Sequence, residues 1–151
     1  MTREEILLAA GHSLPELPSP GGNYLPAKTV GKLVYLAGVI SSDNNGVIPA
    51  AGTSSPDLEA GYLAAQRCAL TQLSVLKQHL NSLEAVKSVV SVTGYVAAPA
   101  GFPDSPKVIN GASDLLVKVF GEAGRHVRAA IAVSSLPRNA LVELQMTVEI
   151  E

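Results

Sequence analysis

The sequence predicts an α+β fold in which one β-sheet carries two helices on one face, and three observations lead there. Apolar residues recur every three or four positions through two long segments, Leu58 to Leu80 and Val108 to Val119. They alternate with polar residues from Val142 to Ile150, the period of a strand with one buried face. Strand-like and helix-like segments run in the order hairpin, helix, strand, helix, two strands, with no internal repeat or low-complexity linker. A chain of 151 residues is the usual size of one domain and buries a sizeable core without staples.

Thr2-Arg3-Glu4-Glu5 has the form of a capping box, in which a hydroxyl and a carboxylate three residues on satisfy each other's free amides, so a short helix to about Ala10 is expected. From Gly11 to Asn23, Pro15, Pro18, Pro20, Gly21 and Gly22 break regular structure and leave an ordered or lid-like loop. Residues 1–20 thus read as a helix and Pro-rich extension of a main body at 21–151. Tyr24 to Val30 and Leu33 to Ile40 flank Gly31-Lys32, the signature of a hairpin whose glycine supplies a positive φ. The second of these strands has no polar face, so helices or another subunit must cover both its sides.

After a polar loop at Asp43-Asn44-Asn45-Gly46, Ser55-Pro56-Asp57 opens the long helix, with proline at the first position. Its stripe is Leu58, Tyr62, Ala65, Ala69, Leu73, Leu76 and Leu80. Val86 to Ala98, rich in β-branched residues, reads as a long strand. Ser105-Pro106 starts the second helix and Gly121 closes it. Val127 to Val133, a turn at Ser134 to Asn139, and Ala140 to Glu151 complete the chain as a pair of strands.

Composition narrows the partners. With 11 basic and 13 acidic residues the net charge is -2, which provides no field to draw in nucleic acid or an anionic membrane. No segment approaches the roughly 20 apolar residues of a membrane helix, and the N-terminus has no export signal. A single cysteine excludes an internal disulfide and fits a reducing cytosol, so a cytoplasmic location is expected. The 47% hydrophobic and 16% charged residues leave little polar cover for a monomer, which predicts oligomerisation.

The residue that stands out for chemistry is Arg128. It shares a strand face with Ala130 and Ala132, leaving room beside a guanidinium whose fixed fork of donors suits a carboxylate. Folding the last two strands as a hairpin about Ser135 would set Glu143 opposite it, either as a partner that orients water or as an ordinary cross-strand ion pair. His126 falls on the Arg128 face, as a cleft residue or a plain surface histidine. Tyr24, at a strand start beside Gly-Gly, either overhangs a cleft or packs at a strand end. His12, His79 and His126 lack metal-ligand spacing, so no metal is expected. Cys68, among alanines in the long helix, reads as a small buried hydrophobe. Neither G-x-G-x-x-G nor G-x-x-x-x-G-K-[ST] occurs, so no nucleotide cofactor is expected.

Arg128-Ala129-Ala130-Ile131-Ala132-Val133, then Leu136-Pro137, then Val142-Glu143-Leu144 resembles the signature of the YjgF/Rid family, also called L-PSP endoribonucleases. Gly22-Asn23-Tyr24, Leu36-Ala37-Gly38 and Val108 to Asp114 are similar to a YjgF-like branch, and the likeness runs from about Gly21 to Ile150. The resemblance implies a chorismate-mutase-like α+β fold with a mixed sheet, assembled as a homotrimeric barrel with clefts between subunits. It implies hydrolysis of reactive 2-imino or enamine acids to 2-oxo acids and ammonia without a cofactor. Arg128 matches the carboxylate clamp, Glu143 the residue that positions water, and Tyr24 the residue that closes the cleft. Ala130 stands where these relatives carry a cysteine, and its backbone is expected to contact substrate. The helix after Pro106 is about a turn longer than theirs, which leaves Asn110 as a further cleft residue of unassigned role. A non-catalytic small-carboxylate-binding or regulatory protein is the alternative function. An endoribonuclease ranks third, because paired histidines and a basic groove are missing.

Overall fold

Thr2 caps the first helix, α1 (Arg3–Ala9), by accepting from the Glu5 N–H at 3.1 Å. The helix is pinned to the body: Leu7 is buried, the Arg3 guanidinium donates to the Leu83 and Val86 carbonyls, and it stacks 4.7 Å from the Phe120 ring centre. The computed structural model describes residues 1–17 and 19–151; Pro18, within the loop read as proline-broken, lies outside the described residues.

The hairpin forms as β1 (Ala27–Val30) and β2 (Leu33–Leu36), with Gly31 at φ 62° in its turn. Two expectations are corrected here. The first strand starts at Ala27, so Tyr24 sits in the preceding loop. The second is not continuous to Ile40: it stops at Leu36 and resumes as β3 (Val39–Ile40). The sequence at Asp43 to Gly46 makes a small hairpin, β4 (Ser42–Asp43) with β5 (Gly46–Val47), whose turn is held by the Asn45 N–H donating to Asp43 at 2.8 Å.

Helix α2 (Leu58–Leu80) is capped by Asp57, which accepts from the Ala60 N–H at 2.9 Å; Pro56 therefore precedes the cap instead of opening the helix. Leu58, though in register with the stripe, is exposed, and the buried face runs from Gly61 to Leu76. Next come β6 (Val86–Ala97) and α3 (Ser105–Phe120), which Gly121 ends at φ 63°. The two helices cross closely, since a Cβ on Gly111 would run into the Tyr62 carbonyl.

The final strands, β7 (Val127–Val133) and β8 (Val142–Ile150), do not pair with each other, which corrects the expected hairpin. The sheet order is β1-β2-β8-β6-β7, with β3 also on β8. Strand β7 runs parallel to β6, the crossover being α3, and β8 runs antiparallel to β6 on its other side. The physical reason is burial. Val142, Leu144, Met146 and Val148 are fully buried and need neighbours on both sides, whereas β7 is largely exposed and takes the edge. The chain passes over the end of β6, where the Ala98 N–H donates to the Val133 carbonyl and the Ala97 N–H to the Leu141 carbonyl.

Both helices cover one face of this mixed sheet, as predicted, and the core lies between them. Val30, Tyr35, Val127 and Ile131 are exposed apolar side chains, with Val127 at 71%. Register places all four on the face opposite the helices. Among the described residues no helix is long and apolar enough to cross a membrane.

Candidate functional site

Arg128 pairs with Val92, whose side chain is buried under the helices, so the guanidinium leaves the sheet on the helix face and meets α3 at the edge. Its Nη1 donates to Asn110 Oδ1 at 2.8 Å and to Ser113 Oγ at 3.2 Å, and Nη2 reaches the Pro106 carbonyl at 3.4 Å. Ser113 lies 2.9 Å from His126 Nε2, and His126 Nδ1 lies 2.7 Å from the Gly124 carbonyl. A carbonyl only accepts, so in the neutral ring Nδ1 carries the proton and Nε2 accepts from the Ser113 hydroxyl. The hydroxyl oxygen is then free to accept from Arg128, and the chain Gly124–His126–Ser113–Arg128 fixes the guanidinium in place.

These groups open onto a cavity of about 420 Å³ lined by Ser113, Asp114, Val117, Arg125, His126 and Arg128. Asp114 accepts from the Tyr62 hydroxyl at 2.7 Å, and this bond raises the phenol's pKa. His126 and Asn110 thus join Arg128. Ala130 lies two residues along the same face, opposite Gly94 and half-buried against the core. As β7 is an edge strand, alternate backbone groups beside it have no strand partner.

Glu143 is elsewhere. It pairs with Tyr95 of β6 and Ile40 of β3 and projects from the face away from the helices. Strand β6 separates it from Arg128, and a three-residue offset adds to that, so the two backbones are about 14 Å apart at usual strand spacings. The cross-strand ion pair is therefore absent. Among the described residues the ion pairs are Lys77–Glu4 and Lys107–Asp104. Burial raises the Glu143 carboxyl pKa above the usual value.

A bulge frames Glu143. Tyr35 pairs with Thr147 but Val39 pairs with Leu144, so one extra residue is inserted between them, at Leu36 to Gly38. Glutamines hold the carbonyls this frees. Gln72 of α2 donates to Ala37 and Leu144 at 3.0 Å each, and Gln145 donates to Leu36 and Met146 at 3.0 Å each. Gly38 then abuts the carboxylate, where an added Cβ would stand 2.6 Å from Glu143 Oε2. Tyr24 belongs to this end of the sheet. Its hydroxyl accepts from the Gly21 N–H at 3.2 Å, and Pro26, two residues on, accepts from the Ala37 N–H at 2.9 Å.

The candidate residues thus fall in separate places: Arg128 with Asn110, Ser113 and His126 on α3 and the β7 edge, Glu143 against Gly38 on the opposite face, and Tyr24 in the loop before β1. Sequence reasoning did not identify Ser113, Arg125, Gly38 or the two glutamines. Ser113 and Asn110 sit one turn apart on α3, and that spacing facing Arg128 was the available signal. Cys68 is fully buried, and burial, with Glu143 nearby, pushes its thiol pKa up, leaving it inert. His79 meets Thr29 at 2.7 Å and His12 lines a separate cavity of about 180 Å³ near α1. Among the described residues no group of three or more His, Cys, Asp or Glu converges to hold a metal.

The family described as "YjgF/chorismate mutase-like, putative endoribonuclease" matches residues 4–150. The chain is 35% identical over 142 residues to Protein TCP17 of Trypanosoma cruzi, covering 93% of this chain and 89% of that one. The crystal structure of Atu1372, a protein of unknown function from Agrobacterium tumefaciens, superposes with a TM-score of 0.88 at 36% identity, over 99% of this chain and 92% of that chain. RidA from an Antarctic Psychrobacter shares the fold, with a TM-score of 0.62 at 22% identity over 89% of this chain and 94% of that one. The chain belongs to the YjgF/chorismate mutase-like family.

Proposed function

We propose that this protein hydrolyses 2-imino or enamine acids to 2-oxo acids and ammonia, at a site completed by two copies of the chain. The observation that carries the reading is the anchored guanidinium of Arg128 at the mouth of a cavity. Three of its donors are committed to α3, so the fork is held still for a carboxylate, and little freedom is lost when one binds.

Substrate positioned this way needs little further help. The imine carbon is electrophilic, and Glu143 takes a proton from a water as its oxygen bonds to that carbon. The proton passes to nitrogen to give a carbinolamine, and the proton of its new hydroxyl then passes through Glu143 to the same nitrogen as the carbon–nitrogen bond breaks, so that ammonia leaves and the carbonyl forms. A carboxyl pKa raised by burial makes Glu143 a better base at neutral pH than an ordinary glutamate. Tyr24 covers the cleft and the backbone at Ala130 contacts the substrate. No cofactor enters these steps.

Within one chain Arg128 and Glu143 point from opposite faces, so the Glu143 half-site must come from a second copy. The exposed apolar face and the open β7 edge supply surface for such packing, and we take the assembly to be a homotrimer in the cytoplasm. A second reading, a carboxylate-binding protein without turnover, is favoured by the same geometry if the chain stays monomeric, because the Arg128 half-site is complete without Glu143.

The test is ammonia release from a 2-imino acid generated in situ by an amino-acid oxidase, for wild type, Arg128→Ala and Glu143→Ala, with mass by light scattering. Acceleration by a wild-type oligomer that both variants lose supports the deaminase. Carboxylate binding without acceleration supports the binding protein.

A further inference from the structure

The cavity beside Arg128 holds more positive charge than one carboxylate requires. The whole chain is net acidic at -2, yet this cavity is lined by Arg125 and Arg128, with His126 between them in sequence. Its one acidic lining residue, Asp114, has an oxygen engaged by the Tyr62 hydroxyl. The two arginines differ in a useful way. Arg128 is tied to Asn110, Ser113 and the Pro106 carbonyl, so it fixes the place of whatever it binds. Arg125 is exposed and, among the described residues, its side chain makes no hydrogen bond or ion pair, so its guanidinium is free to follow a second group. Val117 supplies apolar lining to the same cavity, suited to a short methylene linker.

We propose that the cavity selects ligands with two acidic groups, so that the substrates are 2-imino dicarboxylic acids. The α-carboxylate sits on Arg128 and the side-chain carboxylate on Arg125. This rests on the deaminase reading for the reaction, but not for the binding preference. The fixed arginine sets the reacting carbon and the free one reads the side chain. Discrimination arises because an aliphatic side chain leaves Arg125 with no partner, whereas an acidic one gains a charge-assisted contact.

Two measurements separate this inference from the reading beneath it. One compares kcat/KM for imines made from acidic and from aliphatic amino acids by the matching oxidases. The other measures the affinity of 2-oxoglutarate against 2-oxobutyrate by calorimetry, which needs no turnover. Each is made on the full-length protein and on Arg125→Ala and Arg125→Lys. The expected result is a preference for the diacid of about tenfold or more, in line with a charged hydrogen bond. Arg125→Ala brings the ratio toward one, and Arg125→Lys, which keeps the charge, retains part of it. Equal affinity for the two oxo acids, or a preference that survives Arg125→Ala, overturns the proposal. Diacid preference in calorimetry with no ammonia from either imine leaves the inference standing and overturns the deaminase.

Discussion

Arg128 and Glu143 leave one sheet on opposite faces, with β6 between their strands. No side-chain rotation brings them together, so a reaction that uses both requires two chains.

Mixing inactive variants tests this directly. Arg128→Ala and Glu143→Ala are each expected to lose on the order of 10²-fold or more in kcat/KM, the cost of a charged anchor or a general base. Co-refolded in equal amounts, the two should recover activity, because random assortment gives about one intact site in four. An inactive mixture would show that both residues act from the same chain or not at all.

Glu143→Gln should trade activity for stability. Burial holds the carboxyl pKa above its unfolded value, so the fold favours the protonated form. The stability from this group is full below the unfolded pKa near 4.5 and is lost as pH rises through the higher folded value. Removing the charge should raise Tm at pH 7, with the difference vanishing in acid, while turnover is lost. In the wild type, kcat should fall on acidification at a higher pH than an unperturbed glutamate would give.

Gln72→Leu removes the donors to two carbonyls, one of them deeply buried, so a loss of about 2–4 kcal/mol in urea unfolding is expected. Gly38 should shift with the bulge, and kcat should fall while KM holds, since the Arg128 half-site is untouched.

Ser113→Ala keeps Arg128 but frees one of its bonds. One hydrogen bond contributes about 0.5–1.5 kcal/mol, which predicts a KM roughly 2–12 times higher.

The helices and the alternation of β8 were legible because they follow from one residue's relation to its near neighbours. Asp57, Gly31 and Gly121 act through the local chemistry their types suggest. The β7–β8 hairpin failed because adjacency in sequence favours pairing of consecutive strands, while the demand of β8 for two neighbours is a property of the whole sheet. Arg128 and His126 were found together because they sit two residues apart, His126 just before β7 and Arg128 within it. Ser113 and Gln72 came into view only when α3 and α2 were docked, since a serine or glutamine on a helix carries no mark of what it will face.

The inserted residue between Leu36 and Gly38 also sets the phase of everything after it. A strand assigns side chains to alternate sides, and an added residue reverses the assignment, which is why Leu36 and Val39, three apart, can both turn toward the helices. Deleting one residue there would make the strand regular and keep both faces in phase, yet it would abolish the bulge, and with it the Leu36 and Ala37 carbonyls that accept from Gln145 and Gln72 and the approach of Gly38 to Glu143. The length of this short stretch is therefore constrained more tightly than the identity of most residues around it, and insertions or deletions there should be tolerated less than substitutions.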